Sequence, residues 1–265
     1  FKFIKKKPLE YIKKKKIIKI RKDIYKDNYS IHKIPKKIDA IIIGSGLSGL
    51  STGAYLARVG KTVLVLEKNN SVGIQNYNGF EFTKGMNSLG FIEDLKFLLH
   101  YITINKIKFV KIGNENNYIT DKIYIGKKSY SIRSDVDNFI NDLIHYFPKE
   151  EIAIRKYIHL INDATSDFRH YFISKVIENR SISKFTNKFL CKKIFKYSNI
   201  KTIDLLKSIT KNKDLIALLC SRFAEYDNIP TETSFFIHAM TVKCYFKGAY
   251  YPVGGLLEII KNIIP

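Results

Sequence analysis

Gly44, Gly46 and Gly49 stand at G-x-G-x-x-G spacing, with Gly53 four residues on and Glu67 at the end of the next apolar run. Glycines so spaced let a backbone approach a pyrophosphate that side chains would keep away. Gly44 permits the turn out of a strand, Gly46 leaves bare backbone, and Gly49 and Gly53 let a helix lie close on that strand. Ser45 and Leu47 fill the positions between, and the first helical turn presents the N–H groups of Leu47, Ser48 and Gly49 at its positive dipole end. Glu67 follows Gly44 by 23 positions, near the ~20 at which an acid meets ribose hydroxyls. An acid rather than Arg there favours a ribose without a 2′-phosphate, so FAD or NAD over NADP. A lone G-x-G-x-x-G is a weak sign, and a plain βαβ unit without ligand also satisfies it.

The flanking pattern supplies the elements that would position these groups. Residues 40–43 and 62–66 are continuous apolar runs rich in β-branched side chains, as in parallel strands buried on both faces. Between them Leu47, Leu50, Ala54 and Ala57 recur at helical spacing and are expected to face the sheet. Gly60 is a natural left-handed C-cap. Strand, glycine turn, helix, strand and acid thus occur in the order of a dinucleotide-binding unit.

The 265 residues are 45% hydrophobic, enough for one large domain or two interleaved ones. The net charge of +22 invites a nucleic-acid or anionic-membrane partner. Only seven of the 46 basic residues are Arg, however, and Ile, Asn, Tyr and Phe are also abundant. A biased codon usage produces that mix without a selected basic patch, and folded nucleic-acid sites lean on Arg. No nucleic-acid partner is therefore expected. The charge is densest in residues 1–37, read as a basic, solvated, flexible arm that can contact an anionic membrane surface. No apolar run of 18 residues is present, so no spanning helix is predicted. Because the first residue is Phe1, a preceding signal or anchor stays open. Cys191, Cys220 and Cys244 are too scattered for a zinc site or disulfide framework, and no metal is expected. His238, among Phe235, Phe236 and Met240, suits a satisfied core or pocket histidine better than a ligand.

Residues 69–78 read as a loop, 79–83 as a strand, and Gly85 and Gly90 bracket a further loop before a helix at 91–102. Short strands are predicted at 109–112, 118–120 and 123–124, with 129–132 closing a hairpin across residues 126–128. Asp135 caps an amphipathic helix at 136–146. A long helical stretch follows at 150–177, then helices at 183–197, 202–208, 213–223, 231–246 and 256–263. The aromatic helix at 235–246 suits an apolar ligand or an ordinary core, the core being the simpler reading.

With these residues together, the chain resembles the retinol saturase and carotenoid isomerase group of the phytoene desaturase-like FAD oxidoreductases. DAIIIGSGLSGLSTGAYLARVGKTVLVLEK, GFEFTKG with the following Gly90, FPKEEIAIRKYI and TSFFIHAMTVKCYFKGAYYPVGGLLEI carry the resemblance, in register from about residue 38 to the end. It implies an α/β fold: an FAD-binding Rossmann-like βαβ unit with a mostly helical substrate-side region. It implies that Gly44, Ser45, Gly46, Leu47, Ser48 and Gly49 hold the pyrophosphate and that Glu67, beside Lys68, meets the ribose. The loop at Gly85 would approach the flavin, and residues 251–255 would border the substrate. The implied chemistry is hydride transfer to or from a conjugated isoprenoid polyene, as in a retinol-reductase type of enzyme, with NAD(P) as a further electron partner. Membrane association is implied too, with the endoplasmic reticulum as compartment and the cytoplasm otherwise.

The sequence also departs from the group. Gly73-Ile74 replaces a Gly-Gly pair, Thr83 an acid, Asn87 a His and Val253 an Arg. The group continues well past Pro265, so the expectation is an N-terminal part, truncated before the C-terminal half of the fold and lacking one wall of the flavin site. Expected regions are the arm at 1–37, the nucleotide-binding part at 38–100, a partial substrate domain at 101–250 and a return segment at 251–265. The alternative is a non-catalytic relative: a decayed copy, or a binding protein like the Rab GDP-dissociation inhibitors, which use the same type of fold.

Overall fold

The computed structural model describes residues 30–69, 74–78, 80–83, 88–103, 107–113, 119–177 and 179–263. In chain order the elements are β1 (Ala40–Ile43), α1 (Leu47–Arg58), β2 (Val63–Leu66), β3 (Ile74–Tyr77), β4 (Phe80–Thr83), α2 (Ile92–Ile102), β5 (Phe109–Lys111), β6 (Ile119–Ile125) and β7 (Lys128–Arg133). The helices α3 (Val136–Tyr146), α4 (Glu151–Ala164), α5 (Phe168–Val176), α6 (Arg180–Leu190), α7 (Lys192–Ser198), α8 (Thr202–Ile209), α9 (Lys213–Leu219) and α10 (Phe235–Cys244) follow, then β8 (Tyr250–Pro252) and α11 (Leu256–Ile263). The chain divides into two compact units: residues 1–86, 94–108 and 252–265, and residues 87–93 with 109–251.

In the first unit β1 and β2 pair in parallel, with Ala40 opposite Val63 and Ile43 opposite Leu66. Helix α1 crosses between them and packs on β2 and on α11. Its buried line is Leu50 and Gly53, while Ala57 stays exposed, against expectation. Tyr55 stacks on Tyr101 at 5.5 Å between ring centres and donates to the Leu98 carbonyl, tying α1 to α2. The strands are not covered on both faces as their apolar runs suggested: Ile41 and Ile43 are 58% and 88% exposed. Among the described residues the helix layer covers the Ile42 side only, where Gly53 meets Ile42, Val63 and Val65. Where a loop was expected over 69–78, β3 pairs antiparallel with β4, Tyr77 opposite Phe80. Polar Gln75 and Asn76 weaken strand propensity locally, but pairing with the Phe-rich β4 overrides it.

The second unit holds a hairpin, β6 with β7, and a helical core. The two short strands expected before the hairpin merge into β6, irregular between Ile119 and Asp121. Asp135 caps α3 by accepting from Asn138 N at 2.9 Å. Tyr157, Ile154 and Ile161 of α4, Leu206 of α8 and Phe235 of α10 are fully buried together. The stretch expected as one helix over 150–177 breaks at Thr165-Ser166-Asp167 into α4 and α5. There the Thr165 hydroxyl donates to the Ile161 carbonyl and Ser166 Oγ to that of Asp163, so side chains compete with the helical ladder. Likewise 183–197 splits at buried Cys191 into α6 and α7. Helix α10 starts at Phe235 rather than near 231, because the Thr233 carbonyl accepts from Thr202 N and Oγ1 at the start of α8.

Candidate functional site

The glycine turn lies at the C-terminal ends of β1 and β2. Gly44 N donates to the Leu66 carbonyl at 2.7 Å, which joins the turn to the adjoining strand. Gly44 has φ +98°, a left-handed value that side chains resist. Gly46 caps α1 with φ −64° and ψ 167°, ordinary values for any residue. A Cβ at Gly49 would lie 2.4 Å from the Gly44 carbonyl oxygen, so bareness there is a packing requirement between helix and turn. A Cβ at Gly44 or Gly46 would meet nothing within 4 Å. The corner is therefore open, and no side chain of the described residues plugs it. Leu47, Ser48 and Gly49 lie in the first turn of α1, whose N–H groups have no intrahelical acceptor.

Glu67 reaches back into this corner. Its Oε2 accepts from Ser45 Oγ at 2.6 Å and Ser45 N at 2.8 Å. Its Oε1 accepts from Asn69 N and Nδ2, both at 2.8 Å. The Ser45 hydroxyl, then the Ser45 and Asn69 N–H groups, hold the carboxyl down at about 2. It is an anion at any physiological pH, and its position is set by the very turn it adjoins. Ser45 itself is buried. Lys68 comes next in the chain with an exposed side chain. Gly85, Gly73 and Asn87 lie outside the described residues. The structure thus brings together Gly44, Ser45, Gly46, Leu47, Ser48, Gly49 and Glu67.

These residues suit a dinucleotide: open backbone for phosphate, a helix N-terminus behind it, and an acceptor at the end of β2. Sequence reasoning missed Asn69, whose two donors occupy half of the Glu67 carboxylate. An Asn two residues beyond the acid was the available signal. Further along, Gly254 and Gly255 of the aromatic-Pro-x-Gly-Gly motif have φ +87° and +77° and form the turn into α11. Their bareness is a backbone requirement of that turn.

The second unit contains the expected core histidine. His238 is fully buried, its Nε2 2.8 Å from Tyr157 Oη and its Nδ1 3.5 Å from Tyr226 Oη. Burial lowers it to about 4, so the ring is neutral, and it raises the Tyr157 phenol well above its usual value. Phe235, Phe236, Ala239 and Val242 belong to the same core, so that face of α10 is packed as core, while Ile237 is exposed. A cavity of about 10 Å³ lined by Arg133, Ser134, Arg222 and Tyr245 has room for one water and none for a polyene. Cys191 and Cys220 are buried free thiols.

Fold and site together define a Rossmann-like dinucleotide-binding unit joined to a helical unit. The family described as NAD(P)-binding Rossmann-like domain matches residues 42–90. A solved cyclohexylamine oxidase from Brevibacterium oxydans IH-35A superposes with a TM-score of 0.53 at 15% identity, over 85% of this chain and 48% of that one. An all-trans-retinol 13,14-reductase of Macaca fascicularis is 31% identical over 255 residues, 92% of this chain. A prolycopene isomerase of an Oncidium hybrid cultivar is 26% identical over 248 residues, 86% of this chain. The chain spans 42% and 40% of the lengths of these two relatives. The group read from the motifs is thus the group of its relatives: retinol reductases and carotenoid isomerases.

Proposed function

We propose that this chain carries the nucleotide-binding part of an FAD-dependent oxidoreductase that moves hydride to or from a conjugated isoprenoid polyene, in the manner of a retinol reductase. Gly46 is the observation that carries the cofactor half of this reading. Every other described glycine has either a left-handed φ or a neighbour that a Cβ would press. Gly46 has neither, so its bareness answers to nothing among the described residues. An approaching phosphate supplies the reason. The kinship with retinol reductases and carotenoid isomerases supports the polyene half.

A bound flavin would supply the hydride chemistry. The chain's own residues bind and orient. The α1 N-terminus offers N–H groups to the pyrophosphate, and Gly46 lets it approach. Glu67 keeps its charge and accepts from ribose hydroxyls, exchanging them against the Asn69 side chain. The same negative charge disfavours a 2′-phosphate. Lys68 and Gly85 complete the proposed cofactor residues. The test is an FAD titration of the purified chain, followed by flavin absorption near ~450 nm and by addition of all-trans-retinol to the reduced complex. Saturable FAD uptake is expected, and then a return of the oxidised-flavin absorption that depends on the polyene, as hydride leaves the reduced flavin for the polyene. A folded protein that takes up no FAD overturns the cofactor reading and favours the non-catalytic relative. FAD uptake without any response to polyenes overturns the substrate class.

A further inference from the structure

Helices α5 and α6 form a hairpin that is apolar on the outside. Ser174 and Thr186 are buried, Ser174 Oγ donates to Asn187 Oδ1 at 2.7 Å, and Ser183 Oγ donates to the Ser174 carbonyl at 2.8 Å. The polar side chains therefore make the contact between the helices. The apolar ones face water: Val176 is 79% exposed, Phe185 63%, Phe172 55% and Ile182 53%. Phe172 and Val176 are one turn apart on α5, and Ile182, Phe185 and Phe189 follow one face of α6. A soluble surface does not normally display such a row.

The setting says what would cover it. Residues 168–196 contain eight basic side chains and a single acid, Glu178. The cations lie beside the aromatics: Lys175 Nζ is 4.6 Å from the Tyr171 ring centre, Lys188 5.7 Å and Lys192 6.0 Å from that of Phe189. Helices of 9 and 11 residues are far too short to cross a bilayer. Apolar rings flanked by lysines on short helices match the headgroup boundary of a membrane, where rings enter the acyl edge and ammonium groups meet lipid phosphate. A second copy of this hairpin would bring like charges together, and the basic stretch at residues 1–37 has the same sign. We propose that the outer face of α5–α6 is an interfacial docking surface for an anionic lipid bilayer. This site is separate from the basic arm, and it does not depend on the cofactor reading.

Flotation of the full chain with phosphatidylcholine vesicles, with and without phosphatidylserine, tests this. The parent should float with the anionic vesicles and dissociate as salt rises. The double variant Phe185→Ser/Phe189→Ser, and separately Lys184→Glu/Lys188→Glu, should each lower the partition coefficient by at least about tenfold. Both pairs are exposed, so circular dichroism should be unchanged. The arm variant Lys13→Glu/Lys14→Glu should cost less than either. Failure of the parent to float overturns the proposal. So does binding that the α6 variants leave intact, or an effect of those variants confined to self-association or to an acidic protein partner.

Discussion

Gly46 and Gly49 sit three residues apart in one motif, and the structure assigns them different work, so replacing each by Ala separates binding from folding. At Gly46 the backbone is at φ −64°, ψ 167° and a Cβ meets nothing within 4 Å. Gly46→Ala should change unfolding stability by less than about 0.5 kcal/mol. At Gly49 the Cβ falls 2.4 Å from the Gly44 carbonyl oxygen and 3.2 Å from Ile42 Cγ2. Backbone cannot yield there as a flexible side chain would, so turn or helix must shift. Overpacking of this kind costs ~1–3 kcal/mol, offset by the ~0.5–1 kcal/mol that Ala gains over Gly inside a helix. Gly49→Ala should therefore lose roughly 1–2 kcal/mol in urea denaturation. For FAD the ranking reverses in kind: Gly46→Ala should weaken binding at least about tenfold, or 1.4 kcal/mol, at unchanged midpoint, in a fluorescence titration. FAD affinity equal to the parent's in Gly46→Ala would refute the argument that its bareness serves a ligand. A marked loss of stability in that variant would refute the geometry.

His238 has its pKa lowered by burial to about 4, against ~6.5 unfolded, so its neutral form stabilises the fold fully above 6.5 and this is lost as pH falls toward 4. The stability gap between the parent and His238→Asn should narrow on acidification by up to roughly 3 kcal/mol, read from urea midpoints; a constant gap would count against the buried neutral ring. Tyr157→Phe leaves His238 Nε2 without its 2.8 Å partner and should cost about 1–3 kcal/mol, measured the same way. Glu67→Gln should weaken FAD binding and, because the side chain is partly exposed, lower stability by only about 1 kcal/mol. That stability, which comes from a carboxyl held at about 2, should be present above pH ~4.5 and fade between there and 2; a variant with unaltered affinity removes Glu67 from the site.

The glycine corner was legible because its spacing encodes backbone demands that few other structures make. Helix α3 and helix α11 were legible for a related reason: Asp135 and the paired Gly254-Gly255 mark their starts chemically. What the sequence concealed depends on tertiary choices. Thr165, Ser166 and Cys191 are compatible with a continuing helix, and only the hydrogen bonds of Thr165 and Ser166 and the φ −119° backbone of Cys191 show the chain breaking there. Strand β3 exists because β4 lies beside it. Helix α6 is amphipathic in sequence, but an amphipathic pattern does not say which side is inward. Its polar residues face α5, and the apolar row faces out.

Glu67 links the fold to the site most closely. A carboxylate at the end of β2 that only served a ribose would stand free beside the ligand. Here it spans from β2 to the turn after β1 through both donors of Ser45, whose side chain is buried in consequence. It therefore helps to fix the φ +98° turn at Gly44 before any nucleotide arrives. Holding the turn in its open form in advance reduces the ordering that binding must otherwise supply. The oxygen shared with Ser45 is the structural one, and the oxygen shared with Asn69 is the one a ribose hydroxyl can take over. Loss of the Asn69 side-chain donor, as in Asn69→Ala, should accordingly tighten FAD binding or leave it unchanged. Loss of Ser45 Oγ in Ser45→Ala should loosen it, because the turn itself slackens. If both variants weakened binding equally, this division between the two oxygens would be wrong.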